Sequence, residues 1–277
     1  MNARIRTLIL ATLTAALSST TLAHQGQSHA MTSPVQVNGK DYAFSTSSPL
    51  QTGWTTFTFT NTGKELHHFQ IARLKAGQTF EGFVADLKAR GEAATADITF
   101  VGGVGIEAPG GTGTVTVNLD QPGTYVQLCF VPDAKGVPHF ALGMTSAFQV
   151  TDTANGVAEP RADVAVTLED FGINIPQEIR AGRQVWGVHN KGPEPHEVML
   201  FRMLPGKTVA DLMAMFTGGA PAGMPMGGVQ AAATGRTNYA DLELTPGDYL
   251  LICLIPSPAH QGKSHAELGM VRPFTVK

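Results

Sequence analysis

Residues 246–253 read Pro-Gly-Asp-Tyr-Leu-Leu-Ile-Cys, and a short loop separates them from the segment His-Ala-Glu-Leu-Gly-Met at residues 265–270. The same order occurs earlier in the chain: Pro-Gly-Thr-Tyr begins at residue 122 and leads to Cys129, and His-Phe-Ala-Leu-Gly-Met occupies residues 139–144. Corresponding residues lie 124 to 126 positions apart, which is the length of a whole domain rather than of a solenoid repeat. The chain therefore contains a duplicated domain.

A third matching segment lies upstream of these two. Asn-Thr-Gly-Lys-Glu-Leu-His at residues 61–67 returns as Asn-Lys-Gly-Pro-Glu-Pro-His at residues 190–196. The pattern is lost in the polar stretch 151–160, which contains Gly and Pro. We therefore predict one domain over residues 32–152 and a second over residues 161–277, joined by a short linker.

The periodicity within each copy favours β structure. Thr114–Leu119 and Tyr239–Leu244 alternate between apolar and polar residues, and a Pro-Gly turn precedes the strand that carries each Cys. One helix per domain is predicted, near residues 80–90 and over residues 209–216, where Thr208 and Asp211 have the spacing of a capping box. The predicted fold class is all-β, with two tandem Greek-key β-sandwich domains that each carry a short helix in a long connection.

Composition and charge narrow the class of protein. Apolar residues make up 43% and charged residues 15% of the 277 residues, with a formal net charge of −3. These values argue against a disordered chain and against a protein that binds nucleic acid through phosphate contacts. Arg4 and Arg6, an apolar run and small residues up to Ala23 resemble a secretory signal, so we predict a signal peptide over residues 1–23 and a periplasmic or secreted protein. The apolar run is too short to span a bilayer.

Four side chains in each copy are candidate metal ligands. The first copy offers His67, Cys129, His139 and Met144, and the second copy offers His196, Cys253, His265 and Met270. Two imidazoles, one thiolate and a weak thioether form the ligand set of an electron-transfer copper site, because thiolate and thioether suit Cu(I) and imidazole serves both oxidation states.

On these residues the chain resembles the cupredoxins, the blue (type 1) copper proteins, twice over almost the whole length that follows the signal sequence. The Gly-x-Glu-x-His segments, the Tyr-x3-Cys segments and the His-x2-Leu-Gly-Met segments carry the resemblance. It implies one type 1 copper site per domain. Both Cys-to-His loops are longer than in plastocyanin-like members and are nearer to those of copper nitrite reductases.

Other interpretations of these residues remain open. Cys129 and Cys253 could form one disulfide in an oxidising compartment, or each could be a small buried core residue. The two Met ligands could instead be core residues. His68 is expected to be exposed or to support the site from behind. His260 lies in the second ligand loop and is an alternative ligand to His265, but only His265 has the Leu-Gly-Met context.

The residues point to two main functional classes and leave two weaker ones. The first is an exported one-electron carrier that exchanges electrons with a redox partner protein. The second is a copper storage or delivery protein with a copper donor or acceptor as partner, in which the N-terminal His24 and the Met224/Met226 loop also bind copper. A nitrite-reductase-like or laccase-like enzyme is disfavoured because no His flanks either Cys. A β-sandwich adhesion module, without copper, is a further alternative.

Overall fold

A computed structural model describes residues 33–216 and 218–277. The predicted signal peptide over residues 1–23, its predicted cleavage site and His24 lie outside the described residues. The described part contains sixteen strands, two α-helices and short 3₁₀ turns, so the predicted all-β class is confirmed. The strands are β1 (Val35–Lys40), β2 (Ala43–Thr46), β3 (Leu50–Asn61), β4 (His67–Leu74), β5 (Ile98–Glu107), β6 (Thr112–Leu119), β7 (Gly123–Leu128), β8 (Thr145–Ala154), β9 (Val164–Glu169), β10 (Gly172–Asn174), β11 (Gly182–Asn190), β12 (His196–Met203), β13 (Gly223–Ala232), β14 (Thr237–Leu244), β15 (Gly247–Ile252) and β16 (Val271–Val276).

The two helices are α1 (Phe80–Arg90) and α2 (Val209–Met215), and each lies in the connection that follows the first ligand strand of its half. Thr208 caps α2 as the sequence predicted: its side chain accepts a hydrogen bond from the Asp211 amide while the Asp211 carboxylate accepts one from the Thr208 amide. Leu212 of α2 and Phe83 of α1 are buried against the sheet that carries the ligand strands. The helices therefore cover the outer face of that sheet.

The strands form two layers that both run through the two halves of the chain. One layer has the order β10-β9-β11-β14-β6-β3, and the other has the order β8-β7-β4-β5-β13-β12-β15-β16. The halves join where β6 pairs with β14 and where β5 pairs with β13, both antiparallel. Most pairs are antiparallel, but β1 with β3, β9 with β11, and β3 with β8 are parallel. The predicted sandwiches thus share continuous sheets.

A single apolar core lies between the two layers. It contains buried side chains of both halves, among them Phe69, Val104, Val229 and Trp186. Near the start of each strand that leads to a Cys, a tyrosine hydroxyl donates back to the turn before the strand: Tyr125 of β7 to the Gln121 carbonyl at 2.7 Å, and Tyr249 of β15 to the Thr245 carbonyl at 2.9 Å. This contact at a turn is the tyrosine corner of Greek-key sandwiches.

Candidate metal centre

The first half places three predicted ligands at one end of the sandwich. His67 is the first residue of β4, Cys129 directly follows β7, and His139 begins a 3₁₀ turn over residues 139–142. The loop between Cys129 and His139 folds back because the Phe140 amide donates to the Cys129 carbonyl at 2.8 Å. The chain thereby brings residues that are 62 and 10 positions apart to one point.

The first His–Cys–His group is compact and buried. The Nδ1 atoms of His67 and His139 lie 3.0 Å apart, and Cys129 Sγ lies 3.9 Å from the first and 3.6 Å from the second. All three residues are 0% exposed. The three donor atoms lie within 4.8 Å of one another.

The second half repeats this arrangement. His196 begins β12, Cys253 directly follows β15, and the Nδ1 atoms of His196 and His265 lie 2.9 Å apart. Cys253 Sγ lies 3.4 Å from His265 Nδ1, and the three residues are buried. Both cysteines are free, so the disulfide interpretation is wrong: each thiol belongs to its own group.

Each of the four histidines is also bound on its outer side by a carboxylate. His67 Nε2 lies 2.8 Å from Asp41 and His139 Nε2 lies 2.8 Å from Glu65. In the second half, His196 Nε2 lies 2.7 Å from Asp170, and His265 Nε2 lies 3.0 Å from Glu194. A carboxylate on the far nitrogen of a ligating imidazole fixes the ring and its tautomer and increases its basicity.

The two glutamates belong to the repeated Gly-x-Glu-x-His motif, whereas Asp41 and Asp170 lie outside it and were not predicted to be part of the sites. A signal was present, because each Asp stands 26 residues before the first His of its half and precedes an aromatic residue, Tyr42 or Phe171. Both aromatic rings pack edge-on against the later His of their half, with centroids 5.0 and 5.2 Å apart. The Asp-aromatic pair is thus part of each site.

The hydrogen bonds of the outer Nε2 atoms determine the protonation of the inner nitrogens, the Nδ1 atoms that face each other within each group. When Nε2–H donates to a carboxylate, the neutral ring carries a lone pair on Nδ1. Two such lone pairs facing each other at about 3 Å repel unless a cation lies against them. Burial raises the pKa of the Cys129 thiol to about 12 and raises the pKa of the Cys253 thiol as well. A soft metal ion that displaces the thiol proton satisfies all three donors at once.

Met144 and Met270 are fully buried beside these groups. The Cys129 amide donates to the Met144 carbonyl at 3.3 Å, and the Met144 amide donates to the His139 carbonyl at 2.9 Å. The Met270 backbone makes the same two bonds to Cys253 and His265, at 3.2 and 2.8 Å. The axial role of each thioether stays a prediction.

The residue after the first His supports the loop in each half. His68 is buried, and its Nε2 accepts a hydrogen bond from the Phe130 amide at 2.9 Å; Glu197 accepts one from the Leu254 amide at 3.0 Å. Burial lowers the pKa of His68 to about 3 and raises the pKa of Glu197 to about 7. The expectation that His68 supports the site from behind is therefore confirmed, and the alternative expectation that its side chain is exposed is wrong.

The other candidate ligands lie outside the two groups. His260 hydrogen-bonds Ser257 and packs against Phe171, so it does not displace His265. Met224 is exposed on β13, whereas Met226 is partly buried against the main core. Within the described residues, the two His–Cys–His groups are the only clusters of three His, Cys, Asp or Glu donors close enough to hold one ion.

Comparison with known proteins gives distant structural likenesses. No family model matches the chain, and no curated protein matches it. A reduced auracyanin from Roseiflexus castenholzii is 23% identical over 42% of this chain and 94% of its own, with a TM-score of 0.30. A copper nitrite reductase from Nitrosomonas europaea is 15% identical over 87% of this chain and 93% of its own, with a TM-score of 0.25.

A copper-containing nitrite reductase from Thermus scotoductus is 12% identical over 88% of this chain and 61% of its own, with a TM-score of 0.24. At these TM-scores, the function of this chain is inferred from its own ligand geometry. The two nitrogen and one sulfur donors of each group fit a type 1 copper site, as the sequence resemblance implied.

Proposed function

We propose that this chain is an exported copper protein that carries single electrons, with one type 1 copper site in each half. The observation that carries the proposal is the pair of Nδ1 atoms, 2.9 or 3.0 Å apart, beside a free buried thiol in both halves. The outer nitrogens are already bound to carboxylates, so the inner donors are the ones left for a metal.

When bound, copper supplies a one-electron couple between Cu(II) and Cu(I). The chain's own residues hold the donors in one geometry for both oxidation states. Asp41 and Glu65 lock the rings of His67 and His139, and the loop hydrogen bonds hold Cys129. Burial excludes water from the donor atoms. Little has to move when the charge changes, which is what rapid electron exchange requires.

The burial of the two sites favours an electron carrier over a copper-delivery protein. A delivery site must present exchangeable ligands, whereas here the ligand rings are fully buried and their outer nitrogens are bound to carboxylates. The groups nearest to solvent are the four carboxylates: Glu65 is 39% exposed, Asp170 27%, Asp41 26% and Glu194 18%. Leu142, in the 3₁₀ turn that His139 begins, is an exposed apolar residue. A redox partner protein would dock at this end of each half.

The neighbours of the thiols support the proposal of a role other than catalysis. Leu128 and Phe130 flank Cys129, and Ile252 and Leu254 flank Cys253. Copper reductases and laccases link the type 1 thiol to a second copper through an adjacent His, and neither Cys has one. Export is proposed from the N-terminal sequence. No helix among the described residues is both long and apolar enough to cross a membrane.

The test is a titration of the purified protein with Cu(II), followed by the visible thiolate-to-copper charge-transfer band. We expect two intensely coloured sites per chain, each bleached by one electron. Cys129→Ser and Cys253→Ser should each remove one coloured site and leave the other. The exposed substitution Thr153→Ser is the matched control. Colourless binding would contradict the carrier proposal and favour storage, and an absence of binding would contradict both.

A further inference from the structure

A cavity of about 260 Å³ lies between the two halves, at the seam where β5 and β6 meet β13 and β14. No member of either His–Cys–His group lines this cavity, although Glu107 of its wall pairs with His67 across β4 and β5, and the cavity plays no part in the proposed electron transfer. Its walls are of two kinds. Val104, Leu242 and Met226 provide apolar surface, while Glu107, Asp241 and Glu243 provide carboxylates.

Glu107 is the unusual member of this lining. The residue is only 6% exposed, and its carboxylate has no hydrogen bond or ion pair within the described part of the chain. Gly111 and Gly227 leave room beside it: a Cβ would lie 2.7 Å from Oε2 at Gly111 and 2.8 Å from Oε1 at Gly227. A Cβ at Gly113 would also collide with Glu107. Enclosure disfavours the ionised form of an unpartnered carboxyl group, and a cation bound beside it would stabilise that ionised form.

The pseudo-symmetry of the molecule supplies an internal comparison. The pairs Asp241↔Thr114 and Tyr239↔Thr116 relate β6 and β14 by a two-fold axis, so the seam has an equivalent second cleft. Asn118, Asp120 and Arg236 line that second cleft. The Arg236 guanidinium is largely buried there, donating to Asp120 at 2.6 Å and to the Asn118 carbonyl at 3.1 Å.

The equivalent of Arg236 in the first cleft is Gly111, one residue before β6 just as Arg236 is one residue before β14. In the second cleft, the Arg236 guanidinium neutralises the acidic Asp120. The first cleft has acidic side chains as well, but only Gly111 at the position of that guanidinium. The charge that the chain supplies in one cleft is missing in the other.

From these observations we propose that the cleft around Glu107 binds a small organic cation that carries a guanidinium or primary ammonium group. The N–H donors pair with the Glu107 and Glu243 carboxylates, and the alkyl part packs on Val104, Leu242 and Met226. A bare divalent ion fits less well because the carboxylates do not converge on one point: no cluster of the described residues other than the two His–Cys–His groups brings three such donors together. Asp241 is already paired with Arg183.

The test is calorimetric titration of the full copper-loaded chain with ethylguanidinium and with n-butylammonium, using ethylurea as the neutral isostere. We expect one saturable site per chain for at least one of the cations, and no binding of ethylurea. Glu107→Gln should weaken binding about tenfold or more, because a charge-assisted pair is lost. Glu81→Gln, an exposed acidic residue of α1, is the matched control and should leave binding unchanged.

Thr112→Lys provides a second variant, because it places an ammonium of the chain itself at the mouth of the same cleft. It should abolish cation binding while the two coloured copper sites persist, which shows that the variant is folded. Equal heats for ethylurea and the cations, full affinity in Glu107→Gln, or no saturable heat with either cation would each overturn the proposal. A response to Mg²⁺ or Ca²⁺ alone would do the same, by assigning the cleft to a metal.

Discussion

The carboxylate–histidine pairs determine how each metal centre behaves. Asp41 accepts hydrogen bonds from His67 and from the amides of Lys64 and Glu65. Burial opposes ionisation of Asp41, but these hydrogen bonds outweigh it and lower the pKa of the carboxyl below its usual value. Asp41 therefore stays ionised at neutral pH, and the Nε2 proton of His67 remains directed at it.

We predict that Asp41→Asn weakens copper binding at the first site about tenfold to a hundredfold, because the neutral amide fixes the His67 ring less firmly and makes it less basic. The second site, which uses Asp170, should keep its affinity and serves as an internal control. The measurement is a competitive titration with a chromophoric chelator, with the exposed substitution Asp152→Asn as the second control. Equal affinity of both sites in Asp41→Asn would contradict the role of the carboxylate.

Glu107 predicts a dependence of stability on pH. Burial raises the pKa of this carboxyl to about 8, against about 4.5 in an unfolded chain. Between these values the unfolded chain releases the proton while the folded chain keeps it, so the free energy of unfolding falls as pH rises and levels off above pH 8. We expect Glu107→Gln to be more stable than the parent at pH 9 by a few kcal/mol, and to differ much less at pH 4.

The measurement is urea unfolding of both proteins at the two pH values, without added organic cation. Glu243→Gln, at an exposed position of the same cleft, should not reproduce the effect. A constant difference between the parent and Glu107→Gln across the pH range would contradict the assignment of the pH dependence to this carboxyl.

Among the secondary-structure elements, an irregularity in strand pairing positions the first His of each site. The pairing of β4 with β5 shifts register between His67 and Phe69, and β12 with β13 shifts between His196 and Val198. Gly103 and Gly228 pair with Gln70 and Met199, next to these shifts, and both have positive φ. A Cβ there would collide with the Phe69 or Val198 carbonyl. Only glycine accepts both the φ and the close approach beside each bulge.

The capping box of α2 allows a test of one element. Thr208→Ala removes the acceptor for the Asp211 amide and should lower the free energy of unfolding by about 1 kcal/mol. Since α2 packs on the outer face of the sheet, the spectrum of the second copper site should not change. Thermal or urea unfolding measures the first expectation, and visible absorption measures the second. Thr153→Ala, at an exposed strand position, is the control. A loss of colour in Thr208→Ala would contradict the expectation that the helix cap does not affect the second copper site.

At the scale of the whole molecule, the two halves depend on each other for sheet edges. β5 pairs with β13 and β6 with β14, so both layers continue across the seam. The buried Gln70 amide adds a side-chain link, because its Nε2 donates to the Ala231 carbonyl at 3.0 Å. Separating the halves would expose two inner strand edges in each half and the apolar surface beside them.

We therefore predict that residues 33–160, expressed alone, do not remain a stable monomer. The freed edges of β5 and β6 should pair with another copy, giving a dimer or larger species with a lower melting temperature than the full chain. Light scattering coupled to size exclusion, with calorimetry on the same samples, measures both. The full chain at equal concentration is the control. A monomeric half that melts like the full chain would show that the seam contributes little.

Much of the site was predictable from sequence because the duplication repeats it. Cys129 and Cys253 each occur with the same His and Met context, and chance coincidence of matched spacing in two copies is small. The alternating strands, both helices and the α2 cap are local features, set by side-chain periodicity and by residues three positions apart. The cupredoxin resemblance then specified which donors to expect.

The duplication, the β class and the two sets of donor residues are readable from the amino-acid order, since they depend on residue type and short-range pattern. The fold was needed to show how closely the donors converge, that Asp41 and Asp170 bind the outer nitrogens, that His68 is buried, and that the sheets run through both halves. Those features arise from contacts between residues tens to more than a hundred positions apart. Such contacts are selected by packing of the whole core, which no local pattern records.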